Sequence, residues 1–270
     1  MRLCAFRSGG RPRAGLIRDG SILPLEGEDA GAALAGAPRP TRDPLVPLAG
    51  AELLAPLRPR TIFGVGHNYH DHAAEMAAEP PPYPRIFLKA PGAIAAPSAP
   101  VPAPGYTDEL DYEGELAVVI GATARDVPAE RALEAVFGYA IMDDVSARDR
   151  QRDEPQWLRA KGGDGFAPFG PWITTADEVP DPQDLRIRTW VDGELRQDAS
   201  TALMVFPVAE LVSWLSRHLT LAPGDVIATG TPAGVGAGMR PPRFLVPGSR
   251  ITVEIERLGE ITHVVEGPDR

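Results

Sequence analysis

Four segments of this chain hold side chains whose types and spacing suit chemistry. In Asp111-Tyr-Glu-Gly-Glu-Leu, Glu113 and Glu115 stand two apart. In a strand they project side by side on one face, where like charges repel unless a positive group lies between them. A hard divalent cation is the natural filler, and an exposed acidic edge strand is the alternative. In Met142-Asp-Asp-Val-Ser-Ala-Arg-Asp-Arg-Gln, Asp144 ends an apolar run, a costly place for a carboxylate that is not liganded, paired or capping a helix. If the next segment is helical, Asp144, Arg148 and Gln151 share one stripe. That would set an acid beside two substrate-binding donors, or make an N-cap with an i,i+4 ion pair. Three of five histidines crowd into Gly66-His-Asn-Tyr-His-Asp-His-Ala-Ala-Glu-Met. On a helix, His72 and Glu75 are i,i+3 neighbours, so the carboxylate can orient the imidazole as a general base. The same segment also reads as polar histidines on a surface helix, or as a His70-x-His72 zinc pair, which His218 and His263 are poorly placed to complete.

The lysines are as informative. Of 27 basic residues only Lys89 and Lys161 are lysine. Lysine differs from arginine in being compact and in losing its proton when buried. Lys161 lies in a glycine-rich stretch, Lys161-Gly-Gly-Asp-Gly, that reads either as a ligand-approaching backbone or as a mobile surface loop. The segment Val226 to Gly236 comes after a strand but lacks the Gly-Lys-Ser/Thr of a phosphate loop. Its backbone N–H groups with Thr229 and Thr231 are able to cradle a carboxylate, and an ordinary Gly/Pro turn is the alternative.

The elements that must position these groups are mainly strands. Residues 61–66, 84–90, 110–121 and 137–145 read as strands, several of them apolar runs. Residues 68–79, 128–136, 146–151 and 208–218 read as helices, and Asp192-Gly193 signals a hairpin turn. Repeated βαβ units are not evident. Residues 1–58 read as a small β-rich N-terminal domain of short strands between Gly and Pro turns, and residues 59–270 as the domain that carries the four segments above. The fold class is therefore mostly β with short helices (α+β).

Composition narrows the class further. The chain has 270 residues, 28 Gly, 30 Pro and a net charge of −10. The acidic balance argues against a nucleic-acid partner. One cysteine, Cys4, excludes a disulfide framework or a cysteine zinc cluster. The absence of any apolar run near ~18 residues argues against a membrane partner, and the N-terminus lacks an apolar signal core. The expectation is a soluble cytoplasmic protein.

In this order, Gly64–Met76, Leu110–Gly121, Asp143–Asp149, Gln156–Trp172 and Pro223–Gly236 resemble the fumarylacetoacetate hydrolase family. The resemblance runs from about Thr61 to Val265. It implies a core of mixed β-sheets rolled into a barrel-like fold, commonly a homodimer. It also implies a Mg²⁺ or Mn²⁺ site at Glu113, Glu115 and Asp144, with Ca²⁺ as an occupant that does not support turnover. His72 and Glu75 would activate water, Lys161 would stabilise and protonate an enolate product, and Arg148, Gln151 and Thr231 would touch the substrate, a small 2-oxo acid. The implied chemistry is cleavage of a C–C bond in an acylpyruvate-type β-diketo acid. Decarboxylation of oxaloacetate and isomerisation of hydroxy-oxo dienedioic acids are alternatives, and a metal-binding relative without turnover is the non-enzyme one. The chain departs from the family where Asp143 replaces a usual Asn, and where Gly162 and Gly165 replace a usual Ser and Thr.

Overall fold

The computed structural model describes residues 1–77 and 79–267. Its backbone is a large mixed sheet, a second sheet of five strands, and a two-stranded ribbon of Leu110–Asp111 with Ser146–Ala147. In the large sheet the order runs from Arg2–Ser8 through Ala167–Thr175, Val136–Asp143, Gly114–Ile120 and Val226–Ala228 to Ile62–Gly66 and the edge strand Arg85–Lys89. Most pairings are antiparallel, and Val226–Ala228 runs parallel to Ile62–Gly66. The protein is mostly β with short helices, as its turn-rich composition predicts.

Gly114–Ile120 shows why the site sits where it does. All seven residues are buried, between one strand on each side in the sheet and Arg186–Val191 and Arg250–Ile255 of the five-stranded sheet. A continuous Leu-Ala-Val-Val-Ile run fits this because no position on the strand faces water. Cβ at Gly114 would lie 2.4 Å from Thr189 Oγ1, so only glycine allows the two sheets to meet here.

The helix Val208–His218 has the predicted limits. Val208, Leu211, Val212 and Leu215 form its buried stripe, with Glu210 in the first turn and Arg217 and His218 in the last. The hairpin Arg186–Val191 to Glu194–Ser200 turns at Asp192 and Gly193, both at positive φ, as the Asp-Gly pair predicts.

Other elements differ from expectation. Residues 128–136 form only a short helix, Ala129–Ala132, a 3₁₀ turn, and the start of a strand at Val136. The helix expected over 68–79 is confined to His70–Glu75, and Ala78 lies outside the described residues. Apart from these differences, the N-terminal strands continue the large sheet: Arg2 and Leu3 pair with Thr174 and Ile173, and Leu3, Ala14, Leu25 and Leu57 join the main core. Among the described residues no helix is long and apolar enough to cross a membrane.

Candidate active site

Glu113, Glu115 and Asp144 converge from two adjacent strands. Glu113 immediately precedes Gly114–Ile120, and Asp144 immediately follows Val136–Asp143; the Asp144 N–H donates to the Glu113 carbonyl at 2.8 Å. One oxygen from each carboxylate lies within 4.8 Å of the others, and all three side chains are buried. The strand is interior, so the exposed acidic edge is overturned. The predicted stripe from Asp144 is overturned too. Ser146–Ala147 is a strand and the helix begins at Arg148, so Arg148 and Gln151 share a helix that Asp144 does not.

Buried charge is nearly balanced around the triad. Lys161 Nζ lies 2.7 Å from Glu113 and 2.8 Å from Asp144. Lys89 Nζ donates to Asp144 and to the Lys161 carbonyl. Arg148 pairs with Glu113 and, through Nε, with Asp111 at 2.8 Å. Burial acts to raise the Glu113 carboxyl, but Lys161 and Arg148 outweigh it and hold it well below the usual range. Glu115 goes the other way: burial first, then Asp144 and Glu113, push it well above that range. Four buried carboxylates, counting Asp111, face the three cations Lys89, Lys161 and Arg148. Among the described residues the carboxylate without a cationic partner is Glu115, whose oxygen accepts the Gly230 N–H at 2.9 Å. An all-oxygen donor set with one uncompensated negative charge fits a hard divalent cation such as Mg²⁺ or Mn²⁺.

Lys161 is the last residue of a short helix, Leu158–Lys161, and is buried, so it does not sit on a mobile loop. Its ammonium lies 5.1 Å from the centre of the Phe87 ring. Burial alone would lower it, but Asp144 and Glu113 raise it above the ordinary lysine range. The neighbouring glycines have local reasons: Gly165 is at φ +74°, and Cβ at Gly162 would lie 2.7 Å from the Leu158 carbonyl. The Ser and Thr of the family pattern would not fit this backbone without a shift.

His72 is buried, and its Nδ1 lies 3.4 Å from Glu75 Oε2. Glu75 is held from the far side by the Gly234 N–H at 3.0 Å, and Cβ at Gly238 would be 2.1 Å from its carboxyl carbon. His70 is exposed, so the His70-x-His72 zinc pair does not form; among the described residues the carboxylate triad is the one metal-capable group.

The glycine-rich segment after Ala228 does cradle carboxylates, but they are the protein's own. Gly230 serves Glu115, Gly234 serves Glu75, and the Gly236 and Ala237 N–H groups hold Asp111 at 2.8 and 3.0 Å. Thr229 is turned inward and donates to the Leu116 carbonyl. Thr231 reaches the cavity wall, with its hydroxyl donating to the Gly114 carbonyl and accepting from Gln197.

His72, Glu113, Arg148, Gln151, Lys161 and Thr231 all line one cavity of about 240 Å³, whose apolar wall includes Val65, Met76, Phe87 and Trp157. A roomier cavity of about 550 Å³, between Leu3, Ala14, Leu25 and Arg39, holds none of these groups. Among the described residues Arg148 Nη2 is buried with no protein partner, which leaves that nitrogen free to donate beside this cavity. Gln151 Oε1 accepts from Arg148 Nη1 at 2.9 Å and so holds the guanidinium in place. Two residues of the site were not anticipated from sequence. Asp111 continues the two-residue acidic spacing of Glu113 and Glu115, a signal that could have found it. Gln197 reaches Thr231 and Gly114 from the other sheet and has no local signal.

His67 also lines the cavity, with φ +55°, and burial, then His72 and Arg85, lower its imidazole to about 4. The unfolded chain therefore takes up a proton near the ordinary 6.5 that the folded chain refuses until about 4. Stability should fall as pH drops through that window. In His67→Asn, a residue that tolerates positive φ, the fall should be shallower; equal slopes in urea melts between pH 6.5 and 4 would contradict this assignment.

This chain belongs to the fumarylacetoacetate hydrolase family: the model "Fumarylacetoacetate (FAA) hydrolase C-terminal" matches residues 61–266. A second model, "Rv2993c-like, N-terminal", matches residues 1–56. Among curated relatives, Protein Rv2993c of Mycobacterium tuberculosis is 46% identical over 219 residues, covering 81% of this chain and 80% of its own. Fumarylacetoacetate hydrolase from psychrophilic Exiguobacterium antarcticum superposes with a TM-score of 0.87 at 40% identity, covering 99% of both chains. The 5-carboxymethyl-2-hydroxymuconate delta-isomerase of Mycobacterium smegmatis gives 0.85 at 40% identity, over 99% of this chain and 100% of its own.

Proposed function

We propose that the protein is a divalent-cation-dependent hydrolase that cleaves a C–C bond in a small acylpyruvate-type β-diketo acid. The observation that carries this reading is one cavity where His72, Lys161, Glu113 and the unpaired Arg148 Nη2 meet an apolar wall. Glu113, Glu115 and Asp144 would hold Mg²⁺ or Mn²⁺, which when bound supplies Lewis-acid polarisation of the substrate's oxo or enol oxygens.

The chain's own groups then have separate tasks. Arg148 Nη2 binds the substrate carboxylate, and Gln151 and Thr231 line the same pocket as further substrate contacts. His72, oriented by Glu75, takes a proton from the water that adds to the distal carbonyl carbon. The C–C bond then breaks, its electron pair passing to the pyruvate fragment as an enolate. Lys161 stabilises that charge and delivers a proton to the enolate carbon. Phe87, Trp157, Val65 and Met76 surround the acyl group and keep bulk water away.

A second reading, isomerisation of a hydroxy-oxo dienedioic acid, is favoured by the name of the Mycobacterium smegmatis relative. It would use His72 and Glu75 only to move a proton between carbons. Pyruvate release separates the two. Acetylpyruvate with Mg²⁺ or Mn²⁺ should yield pyruvate, and excess chelator should stop it. Pyruvate from oxaloacetate alone would move the reading to a decarboxylase. Pyruvate from neither, with a dienedioic acid rearranged, would replace hydrolysis by isomerisation.

A further inference from the structure

Asp143 and His263 form a fully buried pair outside the cavity, with His263 Nε2 at 2.9 Å from Asp143 Oδ2. They come from different sheets: Asp143 ends Val136–Asp143 in the large sheet, while His263 lies within Gly259–Glu266 of the five-stranded one. The other carboxylate oxygen, Oδ1, accepts the Glu113 N–H at 2.8 Å. Glu113 is thus held twice, by the Asp143 side chain at its N–H and by the Asp144 N–H at its carbonyl.

We propose that Asp143 and His263 are a positioning pair that fixes Glu113 against Asp144, and that the pair works only with the His263 proton on Nε2. This rests on the triad being the cation site. His263 Nδ1 is buried and has no partner among the described residues. A bare lone pair there is tolerable, whereas an orphaned buried N–H is rare and costly. The imidazole therefore donates through Nε2, and the residue facing it must accept. A carboxylate accepts at both oxygens, from Glu113 and from His263 at once. An asparagine does not: its one oxygen is needed by the Glu113 N–H, and its NH₂ would turn towards His263. Nε2 would then have to accept, and the proton would move to the partnerless Nδ1. Asp143 and His263 are in this sense a matched pair, and an asparagine facing this histidine breaks the match.

The test is Mn²⁺ affinity by calorimetry, read without substrate. Asp143→Asn should weaken Mn²⁺ binding about tenfold, the low end of what second partners of metal ligands contribute. His263→Gln, whose amide is able to donate or accept, should bind within about threefold of the parent, and Asp143→Asn with His263→Gln should recover most of the lost affinity. If Asp143→Asn does not fold, His263→Leu, which leaves Oδ2 bare, should show the same weakening. Loss of melting temperature in chelator with parental Mn²⁺ affinity would mark a merely structural pair and overturn the proposal. So would failure of the double variant to recover affinity. Parental affinity in Asp143→Asn beside lost affinity in Glu113→Ala overturns the proposal alone; a parent that binds no Mn²⁺ overturns the cation site itself.

Discussion

Glu115→Gln should lower Mn²⁺ affinity by about a hundredfold or more, the upper range for disturbing a metal's surroundings, yet raise the melting temperature in chelator. The two effects have opposite signs because Glu115 is the one triad carboxylate without a cationic partner. Burial, Asp144 and Glu113 all disfavour its ionised form, and a neutral amide of the same shape removes that penalty. About 1 kcal/mol of relief would appear as roughly 2 °C in a chain of this size. Glu113→Gln should lose cation affinity as well but melt lower, because it takes a charge away from both Lys161 and Arg148. Removing one partner of a buried pair is destabilising, and Lys161 keeps Asp144 while Arg148 keeps Asp111 as partial compensation. Scanning calorimetry in chelator decides this: equal shifts for the two variants would refute the asymmetric charge balance.

His72→Ala and Glu75→Ala should each reduce pyruvate release from acetylpyruvate by about 10²- to 10⁴-fold, the range for losing a general base. Release from oxaloacetate should fall by less than about tenfold, because decarboxylation needs no activated water. The geometry behind the second variant is the 3.4 Å approach of Glu75 to His72 and the Gly234 N–H that anchors the carboxylate. Glu75→Gln should retain only part of the activity, since its one amide oxygen accepts from Nδ1 only by giving up the Gly234 N–H. Equal loss on both substrates would end the assignment of His72 to water.

Much of the site was legible because its residues sit in short segments with rare local patterns. The two-residue spacing of Glu113 and Glu115, an aspartate closing an apolar strand, and two lysines in a chain otherwise served by arginine are all visible without coordinates. The helix Val208–His218 and the Asp192-Gly193 hairpin were legible for the same reason: their signals depend on a few adjacent residues. Residues 128–136 differ from expectation because a helical composition there is overridden by pairing of Val136 with Ile120.

By itself the sequence determined the class of fold, from residue type and local period, and its resemblance to a known family pointed to the three carboxylates and to His72 with Glu75. Only the tertiary structure decided the charge balance. Lys89, Lys161 and Arg148 lie on separate segments, and which carboxylate each one neutralises depends on side-chain geometry that no local pattern encodes. The same holds for the glycine-rich turn, whose backbone N–H groups hold Glu115, Glu75 and Asp111 of the protein itself. It holds again for His263, 120 residues from Asp143 along the chain and 2.9 Å away in the fold. Buried polar groups must find partners wherever packing places them, and packing is a property of the whole chain.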